Sequence, residues 1–410
     1  MDKLQQIVKK GARVPDPHGV VIGDEVDVNR IAGEGVVLYP GTRIQGSRTF
    51  IAPGVRIGAE GPATLDNCHV GPRAALKGGF FSEAVFLADA SCGLGAHVRQ
   101  GTILEEGASI AHTVGLKQTI LFPFVTLGSL INFCDCLMAG GSSRKDHSEV
   151  GSSYIHFNYT PNQDKATASL IGDVPNGVML NQPPIFLGGQ GGLVGPCRIA
   201  YGTVIAAGSI YRKDQLKPGR LIIEGGGRGG SVPYSKGIYR NVKRQAFNNI
   251  VYMANLVALM SWYTHVRRQF VGERFPQSLH EGLIDTLRLA IDERIQRFTS
   301  FCEKLDESKT LYRQQMGDSA SSDLINQKNQ LIGNRDQAGD LIRRSLDSIE
   351  TFENKAFLSI VLRKIDSIGP TYIDVIKSLD AGEALQGTVW LQQVVDEITG
   401  QVLNLFPAIR

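Results

Sequence analysis

Aliphatic residues recur every six positions through the first half of this chain. Val98, Leu104, Ile110 and Leu116 are spaced this way, as are Leu121, Leu127 and Phe133, and Leu187, Leu193, Ile199 and Ile205. Shorter runs come earlier: Leu38 and Ile44, Ile51 and Ile57, Val70 and Leu76. A glycine often follows the aliphatic, as in Ile22-Gly23, Ile57-Gly58, Val70-Gly71, Val150-Gly151, Ile171-Gly172 and Leu187-Gly188. A period of six is neither the 3.6 of a helix nor the alternation of a half-buried strand. It fits a parallel β-helix, in which each flat face uses about six residues and three faces make a coil of about 18. Each coil buries its aliphatics against the coils above and below, so the core is a stacked column. Glycine tolerates the corner, where the chain turns and crowding is worst. A β-sandwich would show alternation broken by turns every 8–12 residues or so. The six-spacing persists too long for that.

The pattern changes near Gly237. Ile284, Leu287, Ile291, Ile295 and Phe298 follow the 3,4 spacing of an amphipathic helix. Helices are expected over 238–271, 277–315, 320–350, 354–379 and 385–404, forming an antiparallel bundle with short loops. MGDSASSD, 316–323, reads as a turn with a helix-start signal. Glycine divides the chain at the same place: only ten of the 47 follow Tyr234. The junction EGGGRGGSVPYSKG reads as a connector. The expected organisation is an N-terminal segment 1–18, a β-helix 19–223, a Gly-rich linker 224–237 and a helical domain 238–410.

Composition narrows the function classes. The chain has 410 residues, 42% hydrophobic and 20% charged, as for a globular protein with a real core. A net charge of +3 does not suggest nucleic acid. No apolar run reaches the length of a membrane span, and the start MDKLQQIVKKGARVPDP lacks a signal-peptide core. Six cysteines form no CxxC pair, which suits reduced thiols in a cytoplasm. In Cys134-Asp135-Cys136 both sulfurs are expected on one face of a strand, as small buried hydrophobes. GGGRGG, 225–230, reads as a hinge, because no strand–loop–helix context surrounds it. His112, His147 and His156 lack the spacing of a zinc set, and no metal is expected.

Two stretches carry chemistry: VRQGTILEEGASIAHTVGLKQ at 98–118 and SSYIHFNYTPNQDKATASLIGD at 152–173. Arg99 and Lys117 lie one 18-residue coil apart, so they would sit one above the other on one face. Two stacked cations are costly without an anion beside them. A phosphate suits, because arginine offers a planar fork and lysine a point charge. The loop Thr160–Thr167 interrupts the hexads and is expected to stand out from the prism and cover a site.

The hexads resemble the left-handed parallel β-helix of the hexapeptide-repeat acyltransferases. Residues 95–215 are most similar to the acetyltransferase domain of the bifunctional UDP-N-acetylglucosamine pyrophosphorylase/glucosamine-1-phosphate N-acetyltransferases. The resemblance implies a left-handed parallel β-helix; the C-terminal α-helical bundle that follows lies outside the resemblance and rests on the helical periodicity. It also implies a homotrimer with active sites between neighbouring prisms. By the same resemblance Arg99, Lys117 and Lys165 hold phosphate, and Asn158 and Tyr159 position the sugar. Ala207, in QGGLVGPCRIAYGTVIAAGSI, lies near an acetyl-CoA groove. The implied activity is acyl transfer from acetyl-CoA or another acyl-CoA to an amino sugar phosphate or UDP-amino sugar. The family's catalytic histidine corresponds here to Ser129 or Asp135. His147 is the substitute general base, with Asp146 to orient it; His156 is expected to flank the site. Residues 1–95 read as coils, with no site for nucleotidyl transfer. The alternative is a non-catalytic sugar-nucleotide-binding or scaffold β-helix.

Overall fold

The computed structural model describes residues 2–158, 160–224 and 234–410. Residues 225–230, expected to be a hinge, lie outside the described residues.

The hexad region folds into a parallel β-solenoid with three faces. Face three is a ten-stranded parallel sheet that runs from Val37–Leu38 to Leu221–Ile222. Faces one and two join into a sixteen-stranded sheet, because Gly115–Leu121 and Asn132–Met138 each continue around a corner. The hexad aliphatics form the expected inner columns. On face three Ile57, Leu76, Cys92, Ile110, Leu127, Val150, Leu187 and Ile205 stack in register and are all buried. Parallel pairing places like side chains over one another, so each rung packs on its neighbours.

Face two differs from the others. Its outward residues Val85, Ile103, Ile120, Leu137 and Leu170 also stack in register, and all are buried. On face three the outward row reaches solvent throughout, the polar Arg56, Ser91, Ser109, Thr126 and Glu149 as well as the apolar Val37, Ala75, Phe186, Val204 and Leu221. The reason is a second layer: the helices lie on face two, so both sides of its strands are apolar.

Helix α1 (Lys3–Lys9) packs Leu4 and Ile7 against the first coils. Helix α2 (Val174–Gly177) is a single turn capped by Asp173, inserted between two coils. The C-terminal region supplies α3 (Val242–His265), α4 (Gln277–Met316), α5 (Ser322–Asp347), α6 (Lys355–Ile368), α7 (Tyr372–Lys377) and α8 (Ala381–Leu403). Helix α3 is buried on nearly every side, between α4, α5, α8 and the prism. That accounts for its apolar centre. Helix α4 runs over face two, with Gly282 pressed on His69; a Cβ there would come within 2.5 Å of the imidazole. Where one helix was expected over 354–379, there are two. Gly369, at φ +92°, and Pro370, which has no N–H, end α6 and turn the chain before α7. No described helix is long and apolar enough to cross a membrane.

The seam between helices and prism is polar at the corner from face two to face three. The Tyr263 hydroxyl donates to Glu105 Oε1 at 2.5 Å, and Arg267 Nη2 donates to Glu106 Oε1 at 2.5 Å. Burial pushes the Glu105 carboxyl up to about 7, against the pull of Arg267.

Candidate functional site

The register of face one sets the candidate site. Val98, Leu116 and Phe133 stack as inward residues, so Arg99, Lys117 and Cys134 follow them as an outward row. Gln118 (φ +53°) and Asp135 (φ +59°) then turn the corner to face two. The predicted stacking of Arg99 and Lys117 therefore holds. Arg99 reaches past Lys117 and donates from Nη2 to Cys134 Sγ at 3.7 Å.

The anion that two stacked cations require is present, and it comes from the protein. Glu293 of α4 lies with Oε1 3.8 Å from Lys117 Nζ and 2.7 Å from Arg297 Nη2. Burial pushes Glu293 up, but Arg297, Lys117 and Arg294 outweigh it and hold the carboxyl below its usual range. The next residue, Arg294, donates to Asp135 Oδ1 at 2.6 Å; both side chains are almost wholly buried. Asn158, one coil further on, donates to Asp135 Oδ2 at 2.6 Å. Burial also pushes the Cys134 thiol up to about 11, so it stays neutral beside Arg99. Several polar atoms at this corner are buried without a protein partner among the described residues: Arg99 Nε, both amide atoms of Gln118, and Arg294 Nε and Nη1. Such groups normally find a partner.

The remaining sequence-predicted residues lie elsewhere. Lys165 is exposed. Its loop was expected to cover a site, but it serves as a socket for the helices. Gln245 donates to Asp164 Oδ1 at 2.8 Å, Asn249 to the Ala166 carbonyl at 2.8 Å, and Lys304 to the Gln163 carbonyl at 3.3 Å. Tyr159 lies outside the described residues. Ala207 is exposed in the turn from face three to face one. His147 belongs to a small antiparallel hairpin, Gly141–Ser143 with Asp146–His147, between face two and face three. In one chain the width of face two thus separates His147 from Arg99 and Lys117. Asp146 does not orient His147; it accepts from Ser142 Oγ at 2.8 Å. The Nδ1 of His147 is buried without a partner among the described residues.

Other expectations are corrected by the corner geometry. Cys134 and Cys136 do not share a face, because the left-handed φ of Asp135 turns the chain between them. Cys134 points outward in the Arg99 row; Cys136 falls in the next segment, paired with Thr119 and Ser169. His156 lies in the inward row and is fully committed: Nδ1 contacts the Cys134 carbonyl at 2.6 Å and Nε2 the Ser169 hydroxyl at 2.8 Å. Burial pulls it down to about 4. At the two positions matching the family's histidine, Ser129 contacts exposed His112 Nδ1 at 2.8 Å, and Asp135 has both oxygens occupied.

Comparison with known proteins gives the same affinity. Bifunctional protein GlmU of Thermotoga maritima is 26% identical over 215 residues, 52% of this chain and 42% of the relative. The solenoid resembles a hexapeptide-repeat acetyltransferase domain like that of GlmU. Bifunctional protein GlmU of Corynebacterium aurimucosum is 26% identical over 223 residues, 54% of this chain and 40% of that protein. The GlmU of Micrococcus luteus is 32% identical over a shorter 156 residues, 38% of this chain and 29% of that protein. The chain thus spans about two fifths of the length of the first of these GlmU relatives. No family model matches it.

Sequence reasoning missed Glu293, Arg294 and Arg297. A signal was present: Arg294 falls three residues after Ile291 and four before Phe298, on the apolar stripe of α4. A charge on a buried stripe calls for a partner.

Proposed function

We propose that this protein is a sugar-nucleotide-related transferase of the hexapeptide-repeat class. Its acceptor would be an amino sugar phosphate or UDP-amino sugar, and its donor acetyl-CoA or another acyl-CoA. The observation that carries this reading is the Arg99–Lys117 row with Asn158 one coil on and a carboxylate seated beside the lysine. A ligand phosphate would take the position of the Glu293 carboxylate. It would gain a planar fork from Arg99 and a point charge from Lys117. Asn158 and Tyr159 would hold the sugar, Lys165 would approach from its loop, and the Ala207 turn would line the acyl-CoA groove.

The three parts lie at three different corners of one prism: Arg99 and Lys117 at the first, His147 at the second, Ala207 at the third. A homotrimer would bring a corner of one chain opposite another corner of its neighbour. His147 would then act as general base across the interface, taking the proton of the acceptor amine as it attacks the thioester.

A second reading is a non-catalytic sugar-nucleotide-binding protein. It is favoured by Asp135, which stands at a position of the family's base yet has both oxygens engaged. Titration calorimetry with UDP-N-acetylglucosamine tests the common core. Binding is expected for the natural protein and is expected to vanish in Arg99→Ala; no heat at millimolar ligand would refute both readings. An acyl-transfer assay then separates them. His147→Ala should abolish turnover and spare binding, whereas binding without any turnover in the natural protein would establish the second reading.

A further inference from the structure

A cavity lies at the corner between faces two and three, across face two from Arg99. Its volume is about 580 Å³, within the range of small-molecule sites. One wall is a ladder of corner turns from successive coils. Asp89 N–H donates to the Pro72 carbonyl, Gly107 N–H to Ala88, and Phe124 N–H to Glu106. At Gly107 (φ +65°) the ladder has no side chain, and the Phe124 ring and the Arg144 stem close over it; a Cβ there would lie 3.2 Å from Phe124 Cδ1 and 3.7 Å from Arg144 Cδ. The opposite wall comes from the helical domain: Phe270 after α3, Leu279 in α4, and Tyr372 at the start of α7. The cavity exists only because both domains meet there.

Its charges do not balance. Four arginines line it against two carboxylates, Asp89 and Glu106. Two of the arginines are neutralised in place. Arg73 forms a two-point pair with Asp89, at 2.8 and 2.6 Å. Arg267 is paired with Glu106 and held between rings, 3.8 Å from the Tyr372 centroid and 4.7 Å from that of Phe275. Arg144 and Arg274 remain without a carboxylate among the described residues. Arg144 spends Nη1 on the Gly107 carbonyl at 2.8 Å and nearby hydroxyls. Arg274 donates weakly to Thr371 Oγ1 at 3.4 Å. Both arginines are exposed at the rim, above a floor of Phe270 and Leu279 that is buried.

We infer that this cavity binds an amphipathic anion, an apolar ring or short acyl body that carries one carboxylate, sulfonate or phosphate. The apolar body lies in the cavity against Phe124, Phe270 and Leu279. The anionic head sits at the rim between Arg144 and Arg274, whose guanidinium forks suit planar and tetrahedral oxyanions alike. The inference is independent of the site at Arg99.

The probe is anilinonaphthalene sulfonate, with neutral phenylnaphthylamine as its uncharged counterpart, followed by fluorescence on the full chain. Saturable binding of one sulfonate dye per chain is expected. Arg144→Gln with Arg274→Gln should weaken the sulfonate dye roughly tenfold and leave the neutral dye within about twofold. Because Arg144 also ties down its hairpin, Arg274→Gln alone serves as the second variant; it should weaken the sulfonate dye by a factor of roughly three. Leu279→Trp, which fills the floor, should remove both dyes, and Arg99→Ala should change neither. Phenyl phosphate or hexanoate should displace the sulfonate dye, the stronger competitor naming the preferred head. Failure of both to compete, unchanged sulfonate affinity in the arginine variants, or no saturable binding would overturn the inference.

Discussion

Asp135 shows how one residue changes meaning between sequence and structure. By the resemblance it is one of two residues, with Ser129, expected where the related transferases have their histidine. In the fold it occupies a left-handed corner and anchors Arg294, with side chains 5% and 2% exposed. Deleting one partner of so buried a pair leaves the other charge uncompensated, which costs about 3–5 kcal/mol. Arg294→Ala should therefore lower stability in urea by that order. Adding Asp135→Asn, which tolerates the same φ, should return part of the loss. A change under about 1 kcal/mol for Arg294→Ala would show that the pair does not anchor the helix. None of this was legible locally, because the two residues are 159 apart in the chain.

Helix α4 is the element that decides the state of the Arg99 site. It brings Gly282 over His69, Glu293 beside Lys117, Arg294 onto Asp135 and Lys304 to the 160–167 loop. Its periodicity was readable, and so was its approximate length. Which surface the stripe would cover was not, since an apolar stripe fits another helix as well as a sheet. A clue lay in the prism: Val85-Phe86, Ile103-Leu104, Ile120-Leu121, Leu137-Met138 and Leu170-Ile171 are five apolar pairs in one unbroken stack. Pairs also occur on face three, as in Val37-Leu38, Phe186-Leu187 and Val204-Ile205, where the outward residue reaches solvent; a pair by itself does not name the covered face. If Glu293 competes with a ligand phosphate, Glu293→Gln should tighten UDP-N-acetylglucosamine binding by roughly two- to fivefold, the worth of a half-buried ion pair. Weaker binding in that variant would mean the carboxylate supports the ligand instead of displacing it.

For the whole molecule, acid stability depends on buried groups that titrate, among them His69, His156 and Glu105. Burial pulls His69 and His156 down to about 4 and pushes Glu105 up to about 7. As pH falls from about 6.5 towards 4, the unfolded chain takes up the histidine protons first, so each histidine subtracts stability. Glu105 works the other way. The folded protein takes its proton first between about 7 and 4.5, which adds stability as pH falls. The histidine losses and the Glu105 gain oppose one another on acidification. Glu105→Gln removes the gain and should make the decline steeper, as measured by urea denaturation across this pH range. An unchanged slope in that variant would mean that Glu105 titrates alike in both states.

The sequence by itself determined the repeating architecture and the order of solenoid and helices. Period six and period 3.6 are local properties of the chain, set by which side chains point inward. It also determined that Arg99 and Lys117 would stack, because that follows from coil length alone. Only the tertiary structure decided what meets that stack. The counterion Glu293, the anchor Arg294, the separation of His147 from the cations and the cavity at the opposite corner all arise where distant segments pack together. No local pattern encodes them, since each depends on how a helix with many possible partners settles on the prism face whose outward row is apolar without a break from Val85 to Leu170.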